Sequence, residues 1–84
     1  MKSILTKFIA HKAQVEMSAV DSSNIEAVGY DSSDEALHVK FLSGDTYVYE
    51  GVSEDSYEEM MESSSKGVFL NEEIKPEHEY EKVV

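Results

Sequence analysis

The chain contains no cysteine and no tryptophan, and every one of its seven basic residues is a lysine. Without cysteine there is no disulfide framework and no thiolate for catalysis or metal binding, as suits a reducing compartment. Long apolar runs are also missing. Ile4, Leu5, Phe8 and Ile9 are interrupted by Lys7 and fall short of a signal-peptide core, and no stretch approaches the roughly 20 apolar residues of a membrane span. We therefore expect a soluble, cytoplasmic protein with no membrane partner. At 84 residues it is one domain. A chain of this size buries only about 60% of its unfolded surface, which leaves a thin core and little room for an enclosed active site.

Charge is abundant but of one sign. Eighteen acids face seven lysines, for a net charge of −11. Residues 1–14 carry Lys2, Lys7 and Lys12 and no acid, so the remaining four lysines against eighteen acids leave the rest of the chain at −14. Nucleic-acid binding draws most of its affinity from lysine and arginine neutralising phosphates. An acidic surface with no arginine instead repels a polyanion within the Debye length of about 8 Å. The same charge keeps a small protein soluble, or lets it mimic a nucleic acid toward a basic partner.

Along the chain there is a tail, then a sheet, then a helical half. Residues 1–16 read as an extension. Apolar positions 5, 8, 9 and 13 are helix-compatible, but so short a segment holds a helix poorly by itself. Residues 17–84 form the domain proper. Ile25 to Tyr30 is a half-apolar strand that ends at the turn cluster Asp31-Ser32-Ser33-Asp34. Ala36 to Leu42 alternates, with Leu37, Val39 and Phe41 on one face and His38 and Lys40 on the other. Ser43-Gly44-Asp45 turns the chain into Thr46–Glu50. Ser53 caps a helix that begins with Glu54 and Asp55, and its apolar stripe is Tyr57, Met60, Met61 and Ser64. Ser63-Ser64-Ser65-Lys66-Gly67 breaks it and caps a second short helix with Val68, Phe69, Leu70 and Ile74. Pro76, the only proline, should exclude the α conformation at Lys75 and stop that helix. Glu77 to Val84 either pairs as an edge strand or stays loose. This is an α+β domain: a three- to four-stranded antiparallel meander covered on one face by two short C-terminal helices.

Tyr47 and Tyr49 are the leading site candidates, and hairpin parity decides their surroundings. With a two-residue loop they share a face with His38 and Lys40, as an exposed aromatic patch. A three-residue loop with Gly44 in a bulge places them with Leu37, Val39 and Phe41, in the core. The second register gathers the large aromatics together, although Val48 then faces outward. A second candidate surface is Ser65, Lys66 and Gly67, opening a helix as an anion-binding nest or serving as a plain helix junction. Tyr30 and Asn71 are possible contributors. His11, His38 and His78 are scattered, none with another histidine at ligand spacing, so no metal site is expected. Glu58, Glu59, Glu62, Glu72 and Glu73 read as solvated helix faces. No nucleophile, base and pocket can be assembled, so the chain is not expected to be an enzyme or to hold a cofactor.

The order of landmarks resembles the KTSC domain, a short module found at the C-terminus of some lysyl-tRNA synthetases and as stand-alone small proteins. They are Ser22-Ser23-Asn24-Ile25, Val28-Gly29-Tyr30-Asp31, Leu37, Val39, Phe41, Gly44, Tyr47-x-Tyr49, Val52, Ser65-Lys66-Gly67, Phe69, Asn71, Ile74 and Tyr80-Glu81-Lys82. His78 stands where the family usually has an aromatic, and Ser63 where a small apolar residue is usual. The resemblance implies a small binding or interaction module, at home in bacteria or their phages, and raises RNA binding as an alternative through the synthetase link. Charge favours a protein partner over nucleic acid. Oligomeric state is left open.

Overall fold

In the computed structural model, which describes residues 15–83, five antiparallel strands lie side by side in sequence order. They are β1 (Ser18–Ala19), β2 (Ile25–Asp31), β3 (Ala36–Phe41), β4 (Thr46–Tyr49) and β5 (Tyr80–Val83). Between β4 and β5 come α1 (Glu54–Glu62), α2 (Lys66–Phe69) and a π-helical turn (Leu70–Ile74) that continues α2. The α+β meander with two short helices is as expected, but the sheet has five strands rather than three or four. Both extra strands lie at edges. A two-residue β1 has no periodicity to read, and β5 exposes Tyr80, Glu81 and Lys82, so neither shows the alternation that burial imposes on an inner strand.

Turn chemistry sets each register. The Asp31 carboxylate accepts from the backbone N–H and the hydroxyl of Ser33 at 3.0 and 2.7 Å, which holds the β2–β3 turn. In the β3–β4 hairpin the Gly44 N–H donates to the Phe41 carbonyl at 2.9 Å, and the Phe41 N–H donates to Asp45 at 2.8 Å. Three residues therefore form the loop. Gly44 sits at φ 103°, a left-handed conformation that a Cβ penalises. Leu37 consequently pairs with Tyr49 and Val39 with Tyr47, and both tyrosines join the helix-covered face. Tyr49 is 1% exposed.

The core lies between this face and the helices. Ile25, Val28, Leu37, Val39 and Tyr49 from the sheet meet Val52, Met60, Leu70 and Ile74 from the cover. Ser53 accepts the Ser56 N–H at 3.1 Å and Ser65 the Val68 N–H at 3.3 Å, so both helices begin on serine caps. Three details differ from the sequence expectation. Ser64 lies beyond the end of α1 and is exposed, because Ser63 adopts extended backbone and ends the helix. Val68 is also exposed, pointing away from the sheet. Lys75 keeps α dihedrals (φ −57°, ψ −42°) ahead of Pro76. Its N–H reaches Leu70 across the wider π turn, which displaces the carbonyls that a proline ring would meet in a regular helix.

The second face of the sheet is not simply solvent-facing. His38 is buried with Val48, its partner across the β3–β4 ladder, which accounts for an apolar residue at position 48. The chain at 15–17 crosses this face: the Glu16 carbonyl, the Met17 sulfur and the Val15 side chain lie 2.7 Å from where a Cβ on Gly29 would stand. The last two residues of the expected 1–16 extension thus pack on the domain, and the helix-compatible stretch and His11 lie outside the described residues.

Leu37→Ala should cost about 2–5 kcal/mol in urea unfolding, while Leu42→Ala, at a side chain 57% exposed, should stay within about 0.5 kcal/mol of the parent. Equal costs would contradict this placement of the core.

Candidate functional site

The loop Ser22–Asn24 enters β2 beneath the start of α2. The Ser22 hydroxyl donates to the Asn24 side-chain carbonyl at 3.2 Å and accepts from the Asn24 and Ile25 N–H groups at 3.3 and 3.1 Å. This local turn fixes the Asn24 side chain against α2, where its Oδ1 lies 2.8 Å from the position of a Cβ on Gly67. A glycine at 67 is what allows that approach.

A cleft opens on each side of Asn24. The first, of about 430 Å³, is lined by Phe41, Tyr47, Tyr49 and Tyr80, with Lys75 at the rim. Its rings form a contiguous set. Phe41 and Tyr47 meet edge to face at 5.7 Å, and Tyr80 tilts against both Tyr47 and Tyr49 at 5.5 Å. The second cleft, of about 420 Å³, is polar, and Ser65, Lys66, Gly67 and Asn71 line it. Ser23 and Asn24 border both, so the two clefts adjoin across this loop; taken together as the groove, they are aromatic at one end and polar at the other.

Six of the residues singled out in the sequence therefore come together: Tyr47 and Tyr49 at one end of the groove, Ser65, Lys66, Gly67 and Asn71 at the other. Tyr30 does not join them. Its ring stacks on Tyr57 at 4.7 Å and its hydroxyl donates to the Val52 carbonyl at 2.6 Å, a tie between the sheet and the loop before α1. Burial, then the carboxylates of Glu35, Glu54 and Asp31, push its hydroxyl pKa up. Sequence reasoning did not select Phe41, Lys75 and Tyr80 as site residues, nor Asn24 beyond its place in a landmark. The Ser22-Ser23-Asn24 run was the available signal, since serine and asparagine before a strand commonly form such a turn.

Charge is segregated around the groove. Two of its lining residues are lysines, Lys66 and Lys75, and Lys82 pairs with lining Asp45 at 3.5 Å. Only Asp21 and Asp45 of the eighteen acids line it. Lys40, the remaining lysine of residues 15–83, pairs with Glu26 at 3.7 Å and borders a different cleft on the second face. On a strongly anionic protein the groove lining is balanced, two lysines against two aspartates, and three of the four lysines of residues 15–83 lie in or beside it. Among the described residues no group of three or more His, Asp or Glu side chains is placed to hold a metal ion. No helix among them is long and apolar enough to cross a membrane.

A five-stranded antiparallel meander, capped on one face by two short helices and carrying a groove between its first loop and second helix, defines a small α+β module. The sequence comparisons give it a family: the chain matches the KTSC domain over residues 21–80, and it belongs to the KTSC domain family. It is 38% identical over 60 residues to a protein of Tsukamurella paurometabola, covering 71% of this chain and 90% of that one. An uncharacterized protein of Stutzerimonas stutzeri is 37% identical over 60 residues, 71% of this chain and 84% of that protein. The crystal structure of a KTSC domain protein from Yersinia pestis superposes with a TM-score of 0.78 at 34% identity, covering 83% of this chain and 99% of that one.

Burial, with Tyr80 and Tyr47 close by, pushes the Tyr49 hydroxyl from 10.0 up to about 12. The folded state therefore resists ionisation that the unfolded chain accepts. Any stability this contributes is intact below pH 10 and is lost as pH rises toward 12. Urea midpoints should fall across that window and fall less steeply in Tyr49→Phe; parallel pH profiles would contradict the assignment. Gly67→Ala should leave the thermal midpoint unchanged or slightly raised, since alanine favours a helix by up to about 1 kcal/mol. It should also displace the Asn24 side-chain amide resonances, and unmoved resonances would show that the contact is absent.

Proposed function

We propose that this protein is a non-catalytic recognition module that docks a protein partner in the groove across Asn24. The observation that carries this reading is the coincidence of an aromatic cleft, a polar cleft and the collected lysines on an otherwise anionic surface. Rigid aromatic side chains supply contact area at low entropic cost, and a neighbouring polar cleft supplies hydrogen bonds that set register. Recognition rather than turnover is the activity we assign. The absence of cysteine suits work in the reducing cytoplasm.

RNA is the competing ligand, because the ring set could stack bases at about 1–3 kcal/mol each. The charge balance argues against it. With four lysines and eighteen acids in residues 15–83, phosphate neutralisation would be outweighed by repulsion.

Affinity capture from bacterial lysate with the wild-type chain, Tyr80→Ala, Lys66→Glu and the control Glu58→Gln tests the reading. Tyr80→Ala and Lys66→Glu should each lose a bound protein that the wild type and the control retain. Titration with single-stranded RNA and tRNA should give no binding even at low salt. Salt-sensitive RNA binding weakened by Tyr80→Ala would assign the groove to nucleic acid instead.

A further inference from the structure

The aromatic cleft is walled by Tyr80, which belongs to the edge strand β5. We infer that the partner segment binds by adding an antiparallel strand to β5, and that it carries, in order, an acidic, a basic and an apolar residue. This inference rests on the groove reading above and specifies its mode. Among the described residues β5 is the last strand of the sheet, and Tyr80, Glu81 and Lys82 are exposed.

The backbone is set for such an addition. Glu50 N–H donates to the Glu79 carbonyl at 2.8 Å, so in an antiparallel ladder residues 79, 81 and 83 direct their polar groups toward β4. Alternation then turns the N–H and C=O of Tyr80 and Lys82 outward. Those are the groups an incoming strand pairs with, and main-chain bonds of this kind supply affinity while alternate side chains supply specificity.

Side-chain chemistry along the edge sets the partner's sequence. Tyr80 and Lys82 pair with Tyr49 and Tyr47, and so lie on the helix-covered face; Glu81 pairs with Val48 and lies on the other. Residues directly opposite across an antiparallel pair meet on one face, where opposite charges attract and like charges repel. An acid belongs opposite Lys82, a base opposite Glu81, and an apolar side chain opposite Tyr80, beside the cleft. Because the partner runs antiparallel, these follow one another from its N-terminus to its C-terminus. The Lys82–Asp45 pair does not block the exchange, since both side chains are about half exposed and such pairs are weak.

A second copy of this chain does not meet the requirement. Two-fold pairing of β5 with itself preserves the faces, so the outward residues can pair in three ways. Centring on Tyr80 sets Glu81 opposite Glu79, centring on Glu81 sets it opposite itself, and centring on Lys82 does the same for the lysine. Each register opposes like charges, a feature that discourages edge-to-edge association.

The test uses the full chain, isotope-labelled for amide NMR, and two blocked peptides of identical composition in which Glu-Lys-Ile or Lys-Glu-Ile is flanked by threonines. The Glu-Lys-Ile peptide should shift the Tyr80 and Lys82 amides and bind about five- to tenfold tighter than its isomer. The double variant Glu81→Lys with Lys82→Glu, unchanged in net charge, should invert that preference. Equal affinities, no inversion, or silent Tyr80 and Lys82 amides with about 1 mM of either peptide would overturn strand addition. Shifts confined to Asn24, Lys66 and Asn71 would overturn it too, while leaving the groove reading intact. Binding at β5 by a chain whose groove variants still hold their partner would mark the reverse failure.

Discussion

The parity of the β3–β4 hairpin is the constraint on which the rest of this structure depends. A strand shows opposite faces at alternate residues, so a loop one residue shorter would turn Tyr47 and Tyr49 away from the helices. The hairpin settles the matter by closing on Phe41 and Asp45, which leaves Leu42, Ser43 and Gly44 as the loop, with Gly44 at φ 103°. From that follow Tyr49 in the core, Tyr47 beside Phe41, and a rail of rings that Tyr80 completes once β5 pairs alongside. The same parity sends Val48 and His38 to the opposite face, where the chain at 15–17 crosses.

The groove depends on a second close contact. Asn24, held by Ser22, fits against α2 because residue 67 is a glycine. That places one polar side chain at the border of two clefts of different character. Together with the lysines at 66, 75 and 82 it gives an anionic protein a local surface of another kind, which is why we read this region, rather than the acidic helix faces, as the place where a partner docks.

Much of this was legible in the sequence because inner strands and capped helices impose strong patterns. Leu37, Val39 and Phe41 announced β3, Asp31 and Ser33 their turn, and Ser53 and Ser65 their helices. The hairpin was legible only as two alternatives, since a glycine at 44 supplies the positive φ that either loop length needs. Of the edge strands, β1 escaped and β5 was legible only as one of two alternatives, because their exposed residues carry no burial pattern. Burial of His38 escaped because it depends on the chain at 15–17, remote in sequence. Lys75 kept α dihedrals ahead of Pro76 at the end of a π-helical turn, which the local composition did not signal. Of the site, the tyrosine pair and the Ser65-Lys66-Gly67 junction stood out separately; that Asn24 sits between them is a product of tertiary packing.

The most direct test of the account is the pattern of α-proton to α-proton Overhauser contacts across β3 and β4. Phe41 and Asp45 form a hydrogen-bonded pair, so the close α-proton pairs of this ladder should be Lys40 with Thr46 and His38 with Val48. Those two cross-peaks are the predicted result. Cross-peaks joining Val39 to Val48 or Phe41 to Thr46 would show the shorter loop, reverse the face of both tyrosines and contradict the groove built on them.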